Sequence, residues 1–349
     1  MSIDTEAEIL AEKQGNILCV TLNRPAALNA LSHNMIKLLR ADLAEWSAEG
    51  SITALVFRGA GGKAFCAGGD IKDTWKHRED TARNDLYFYD EYNLIRELFH
   101  FPKPTIALMD GITMGGGYGV AGACRYRIAT ENTKWAMPET GIGFFPDVAA
   151  AYYLLQAPGH MGMCMALSGM TIGPEDTLYG GFASHYIYSE SIPDFIKAVE
   201  GEGIDSALAS FHKQPAIMGP VSQHQYVMDE CFSAPDITGV MARLTNSPSE
   251  WAQAVLAILR QRSPLSLGIT YQRMKRAQGQ TYDSIVEEDY VIARRFMRGQ
   301  EFFEGVRAVL VDKDKNPQWQ PETLEKLSEN EVLSYFEPLS GTLADGFRS

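Results

Sequence analysis

Cysteine is scarce in this chain. Cys19, Cys66, Cys124, Cys164 and Cys231 are scattered through 349 residues, and no two form a CxxC pair. That spacing argues against a zinc ribbon or a disulfide scaffold and fits a reducing compartment. The seven histidines form no HExxH or similar cluster, so no metal site and no metal chemistry are expected. No stretch approaches twenty apolar residues, so no membrane span is expected. Positive charge is also short: 31 Lys and Arg stand against 44 Asp and Glu, a net charge of −13. Such a balance disfavours nucleic acid as a partner. It leaves room for a phosphorylated small molecule, because a local basic pocket works inside an acidic protein. The N-terminal MSIDTEAEILAEKQG is acidic and lacks an apolar signal core or an arginine-rich transit pattern, so a cytoplasmic location is expected.

What is present is ordinary globular material, with 45% hydrophobic and 21% charged residues, enough for one large domain or two. Strands are predicted at 17–22 (ILCVTL), 53–59 (TALVFRG), 103–111 (KPTIALMDG) and 126–130 (YRIAT), with a shorter one at KWAMPE. Helices are predicted through ALSHNMIKLLRADLAEW, with Ser32 as N-cap, through 85–101, and after Pro146 in VAAAYYLLQ. Strand, glycine-rich turn and helix alternate, which gives an α/β class. Beyond about residue 200 the pattern turns helical. The expected division is therefore 1–204, an α/β core, and 205–349, a mostly helical C-terminal region with a polar, irregular tail. No repeat of fixed period and no low-complexity segment is present.

Two glycine turns, CAGGD (66–70) and MGGGYG (114–119), each follow a strand and precede a helix. Glycine lets a ligand approach the backbone closely, and helix N-termini present free N–H groups. Two such turns meeting at one point can grip a single oxygen, an oxyanion hole. The bland alternative is tight turns and close helix packing. GYGVAG (117–122) also matches GxGxxG, but YRIAT begins four residues after Gly122. That leaves too short a helix for a dinucleotide-binding crossover.

LNRPAALNAL, AFCAGGDIK, GITMGGGYG and MPETGIGFFPD stand in an order and spacing that resemble the crotonase (enoyl-CoA hydratase/isomerase) superfamily. Within it, PETGIGFFPD, SPLSLGITYQRM and FMRGQEFFEGVRAVLVDKDKNPQW are similar to the 3-hydroxyisobutyryl-CoA hydrolase branch. The likeness is weakest at about 185–245. It implies a spiral of repeated ββα units with a helical C-terminal region. It also implies an acyl-CoA thioester substrate whose carbonyl is held by the Gly69 and Gly116 amides, no cofactor, and a place in valine degradation. The superfamily often forms trimers and pairs of trimers, which leaves a homo-oligomer open. In one respect the chain departs from the branch: VAAAYYL follows Asp147 where glycines are expected.

Hydratases of the superfamily use two glutamates over a double bond. The position of one is Gly119 here; the other aligns with Glu139. Hydrolysis needs one carboxylate, as base or nucleophile, and Glu139 is assigned that role. Partial burial is expected to raise its pKa. Asp147, following Pro146 as the expected first helical residue, is expected to be lowered by the helix dipole and to hold the substrate hydroxyl or orient water. Helix capping is the bland reading of both acids. Glu91 shares a helix face with Tyr87, Phe88, Leu94 and Ile95 and is a candidate substrate contact, or else an ion pair with Arg96 or another arginine. Arg24, Lys63, Arg307 and Lys313 are candidates for the CoA phosphates. An enoyl-CoA hydratase or isomerase, a silent CoA-binding scaffold and, more distantly, a nicotinamide oxidoreductase are the alternatives.

Overall fold

The computed structural model describes residues 7–215 and 217–339. The first six residues of the N-terminal reading and the last ten of the tail lie outside the described residues.

Among the described residues nine strands form two sheets. The larger has the order β1 (Ile9–Gln14), β2 (Ile17–Leu22), β3 (Ala54–Gly59), β5 (Thr105–Met109), β7 (Tyr126–Ala129) and β9 (His185–Tyr186); the smaller runs β4 (Ala64–Cys66), β6 (Ile112–Met114), β8 (Lys134–Ala136). β1 pairs antiparallel with β2, while β2 to β9 pair parallel. Each of β3, β5 and β7 is followed a few residues later by a strand of the small sheet. One turn of chain thus adds a strand to each layer, and the expected ββα spiral is present. Every residue of β2 and β5 is buried, as in parallel strands covered on both faces. The predicted strands are all found. β4, β6 and β9 were not predicted, since strands of two or three residues carry no readable period; β1, six residues with none buried, was not predicted either.

The chain divides into two compact units, though not at residue 204. The first comprises the described parts of Met1–Gly69, Asn93–Trp135 and Ile172–Pro220; the second those of Asp70–Tyr92, Ala136–Thr171 and Val221–Ser349. The segments carrying Glu91, Glu139 and Asp147 therefore group with the C-terminal helices, not with the strands next to them in sequence. The sequence-based cut marked where strands cease, and compactness followed packing instead.

In the first unit, alternate residues of the large sheet (Ile17, Cys19, Ala54, Val56, Ile106, Leu108) pack with Phe195, Val199 and Leu208 from the helices Ile192–Glu202 and Ile204–Phe211. Ser32 caps the helix His33–Ala48 as predicted, accepting from the Met35 amide. In the second unit the helices Glu250–Leu259, Pro264–Arg276 and Tyr282–Phe296 begin at Ser249, Ser263 and Thr281. Each of these side chains accepts a first-turn amide. Phe88, Phe145, Phe296 and Phe302 close around Phe144 with ring centroids 4.9–5.6 Å away.

Candidate active site

The two glycine turns meet within the first unit. β4 and β6 lie parallel and side by side, so the turns that follow them leave the same edge of the small sheet. A β-carbon placed on Gly68 would stand 3.5 Å from the Met114 carbonyl oxygen and 3.9 Å from the Gly116 nitrogen. Gly68 has φ +120°, and Gly115 has φ +50° as it enters the helix Gly116–Ala123. Gly116 opens that helix, where amides have no intrahelical acceptor. Neither the Gly69 nor the Gly116 amide has an acceptor among the described residues. Gly117 cannot carry a side chain, because its β-carbon would fall 2.1 Å from the Cys66 carbonyl oxygen. That contact pins the helix start against the first turn. The packing role is seen at Gly117, while the neighbouring Gly69 and Gly116 leave their amides without an acceptor among the described residues. The eight-residue helix also fits the rejection of GxGxxG as a dinucleotide fingerprint.

The acids gather in the second unit. Glu139 opens the 3-10 turn Glu139–Ile142 and is 6% exposed. The Thr140 hydroxyl donates to the Leu167 carbonyl at 3.0 Å. Gly143, at φ +70°, lies so near the Glu301 carbonyl that a β-carbon would overlap it. The turn is thus fixed on both sides of the carboxyl. Oε2 of Glu139 is buried with no hydrogen-bond partner. Burial and the charge of Asp147 push the Glu139 carboxyl well above its ordinary range. Glu91 is buried on the helix Thr81–Phe99, and burial and then Asp147 push it up likewise. It forms no ion pair among the described residues, Arg96 included.

Asp147 corrects one expectation. The helix begins at Ala150, not Pro146, because Val148 and Ala149 take left-handed φ of +51° and +59°. Asp147 is thus no first-turn residue and gains nothing from a helix dipole. Its carboxyl is pushed up to about 7, chiefly by burial and also by Asp289. A 2.6 Å hydrogen bond donated by the Tyr92 hydroxyl works the other way. The two pKa values do not move apart; both rise. Sequence reasoning missed Tyr92 and Asp289. Tyr92 follows Glu91 directly on a predicted helix and was findable. Asp289, 142 residues after Asp147, carried no local signal.

The basic candidates fare differently. Arg24 is engaged at home: Nε lies 3.1 Å from Glu8, and Nη1 donates to the Ala30 carbonyl at 2.6 Å. Arg307 is held by Glu304, Asp312 and Asp314 at 2.7–2.8 Å. Lys63 and Lys313 are exposed. Among the described residues no group of three or more His, Cys, Asp or Glu side chains is arranged to hold a metal ion.

The chain is similar to known proteins along nearly its whole length. The sequence model of the enoyl-CoA hydratase/isomerase family matches residues 17–336. The mitochondrial 3-hydroxyisobutyryl-CoA hydrolase of Rattus norvegicus is 37% identical over 352 residues, covering 97% of this chain and 91% of its own. That of Xenopus tropicalis is 36% identical over 353 residues, covering 97% and 90%. A carnitinyl-CoA dehydratase from Mycobacterium thermoresistibile superposes with TM-score 0.92 at 34% identity, over 97% of this chain and 98% of its own. With the family model matched along nearly the whole chain and relatives at 36–37% identity covered almost end to end, the protein belongs to the enoyl-CoA hydratase/isomerase family.

Proposed function

We propose that this enzyme hydrolyses a short branched hydroxyacyl-CoA thioester, 3-hydroxyisobutyryl-CoA, to 3-hydroxyisobutyrate and CoA, as a step of valine degradation. One observation carries the reading. Glu139 has a buried, unpartnered oxygen beside other acids, while Gly119 stands where the superfamily's hydratases place their other glutamate. A single proton-moving glutamate suffices for hydrolysis and leaves hydration without a partner. The extensive likeness to hydrolases named for this ester supports the choice of substrate.

In the proposed mechanism the Gly69 and Gly116 amides hold the thioester carbonyl oxygen, the oxyanion hole of the reaction. Burial raises the carboxyls of Glu91, Glu139 and Asp147 alike, and the acids titrate as a group. Glu139 in its ionised form is the working carboxylate. It then takes a proton from water as hydroxide adds to the carbonyl carbon. The tetrahedral oxyanion collapses, the C–S bond breaks, and the CoA thiolate takes the proton from Glu139. Asp147 and Glu91 hold the acyl hydroxyl. In the covalent variant Glu139 attacks the carbon itself, thiolate leaves, and water cleaves the mixed anhydride. No cofactor takes part in either route. Lys63 is proposed for the CoA phosphates, with Arg24 as a second partner once released from Glu8.

The solved relative named as a dehydratase favours, as a second reading, addition or removal of water at an enoyl-CoA. A panel of acyl-CoA esters assayed for free thiol decides. Thiol release from 3-hydroxyisobutyryl-CoA, lost by at least a thousandfold in Glu139→Gln, is expected. Change in enoyl absorbance without thiol release would replace this reading by the second. No helix of the described residues is long and apolar enough to cross a membrane. The cytoplasm is the proposed location, although the named hydrolases are mitochondrial; fractionation tests it. A homo-oligomer without nucleic acid is proposed and is tested by light scattering.

A further inference from the structure

Asp147 is followed by two residues in a costly conformation. Val148 and Ala149 both have a β-carbon and both sit at left-handed φ, +51° and +59°. L-residues pay a steric penalty there because the β-carbon crowds the carbonyl. Such a turn persists only when its surroundings impose it. Both residues are buried, and the Ala149 amide donates to Oδ2 of Asp289 at 2.9 Å. The other oxygen of Asp289 accepts from Nε of Arg273 at 2.6 Å. Arg273 also donates to Glu288 at 2.8 Å and to the Ile285 carbonyl at 2.8 Å. Asp289 and Arg273 are 0% and 1% exposed, so neither can exchange these partners for water.

We infer that Asp289 is a positioning residue for Asp147: it holds the left-handed Val148–Ala149 turn through the Ala149 amide and is itself fixed by Arg273. This rests on the reading that Asp147 works on the acyl group. The chain Arg273–Asp289–Ala149 ties the aim of the Asp147 carboxyl to the packing of the helices Pro264–Arg276 and Tyr282–Phe296. A buried carboxylate that merely neutralised Arg273 would have no reason to meet the one amide inside a strained turn.

The test is Asp289→Asn, alone and with Ala149→Gly, since glycine takes left-handed φ at no steric cost. Thiol release from 3-hydroxyisobutyryl-CoA by D289N should lose ten- to a hundredfold in kcat with KM changed less than threefold. The acid limb of kcat should move to lower pH, because one negative neighbour of Asp147 is gone. The groups facing Asp147 and Asp289 are Glu91, Tyr92, Glu139, Arg273 and Glu288, and the variant leaves all of them. The added A149G should restore kcat to within fivefold of the parent. A folded D289N with kcat within twofold of the parent overturns the inference, as does a double variant without rescue. If D289N does not fold, the double variant decides. Folded and active, it supports the role; unfolded or folded and inactive, it overturns it. Should the parent release no thiol, the proposed function has failed rather than this inference. Thermal midpoints then decide: A149G must raise the midpoint of D289N more than that of the parent, and equal increments overturn the role.

Discussion

Replacing Asp147 by asparagine should stabilise the protein in a manner that depends on pH. The carboxyl is 5% exposed and titrates near 7, against about 4 for a carboxyl in an unfolded chain. Its folded pKa is raised. Its contribution to stability is therefore fully present below pH 4 and is lost as pH rises through 7, because the folded state must give up a proton it holds better than the unfolded chain does. Between these limits the native state binds one more proton, so parental stability falls by about 1.4 kcal/mol per pH unit from this group. Across three units the loss is about 4 kcal/mol. That is a ceiling, since the buried acids titrate as a group. Asparagine carries no charge, and its oxygen can still accept from the Tyr92 hydroxyl. Urea denaturation of parent and D147N, followed by far-UV circular dichroism from pH 4 to 8.5, measures the difference. The expected gain is near zero at pH 4 and levels off above pH 7.5, while thiol release is abolished. A gain that does not vary with pH, or a variant less stable at pH 8, would refute the account of Asp147 as a buried acid held against its charge.

Tyr92→Phe removes the hydrogen bond that favours ionised Asp147, worth about 1–3 kcal/mol to a charged acceptor. The acid limb of kcat should move up by about one pH unit, and an unmoved limb would detach Tyr92 from the titrating group. Gly117→Ala drives a β-carbon into the Cys66 carbonyl, 2.1 Å away. Both partners are backbone, so a loss of about 3 kcal/mol in stability is expected, along with a kcat loss at least tenfold beyond any change in KM; a neutral variant would show the two glycine turns to be independent. Arg307→Ala should alter KM for the thioester less than twofold, because three carboxylates already occupy that guanidinium. A tenfold rise in KM would return Arg307 to the phosphate site.

Much of the candidate site was readable locally. Glu91 could be placed on a buried face because Tyr87, Phe88, Leu94 and Ile95 recur at helical spacing around it. The glycine turns could be placed because each follows a strand in sequence. Glu139 could be expected to rise, because an acid among glycine, phenylalanine and proline has few polar neighbours to keep it charged. The small sheet was not readable, since β4 and β6 have only three residues each. Arg307 looked available only because its partners Asp312 and Asp314 belong to a segment whose sequence shows no regular structure.

By itself the sequence determined the longer strands of the large sheet, the longer helices and the Ser32 cap, the two glycine turns and the identity of the acids. These depend on neighbours within a turn or two of chain, where periodicity and side-chain chemistry suffice. Only the tertiary structure decided that the acids group with the C-terminal helices, that Val148 and Ala149 postpone the helix after Pro146, and that Asp147 rises where a helix dipole would have lowered it. The charge state of a buried carboxyl is set by whatever lies within a few ångströms. Asp289 came to that distance through packing between segments more than a hundred residues apart, and no local pattern encodes that.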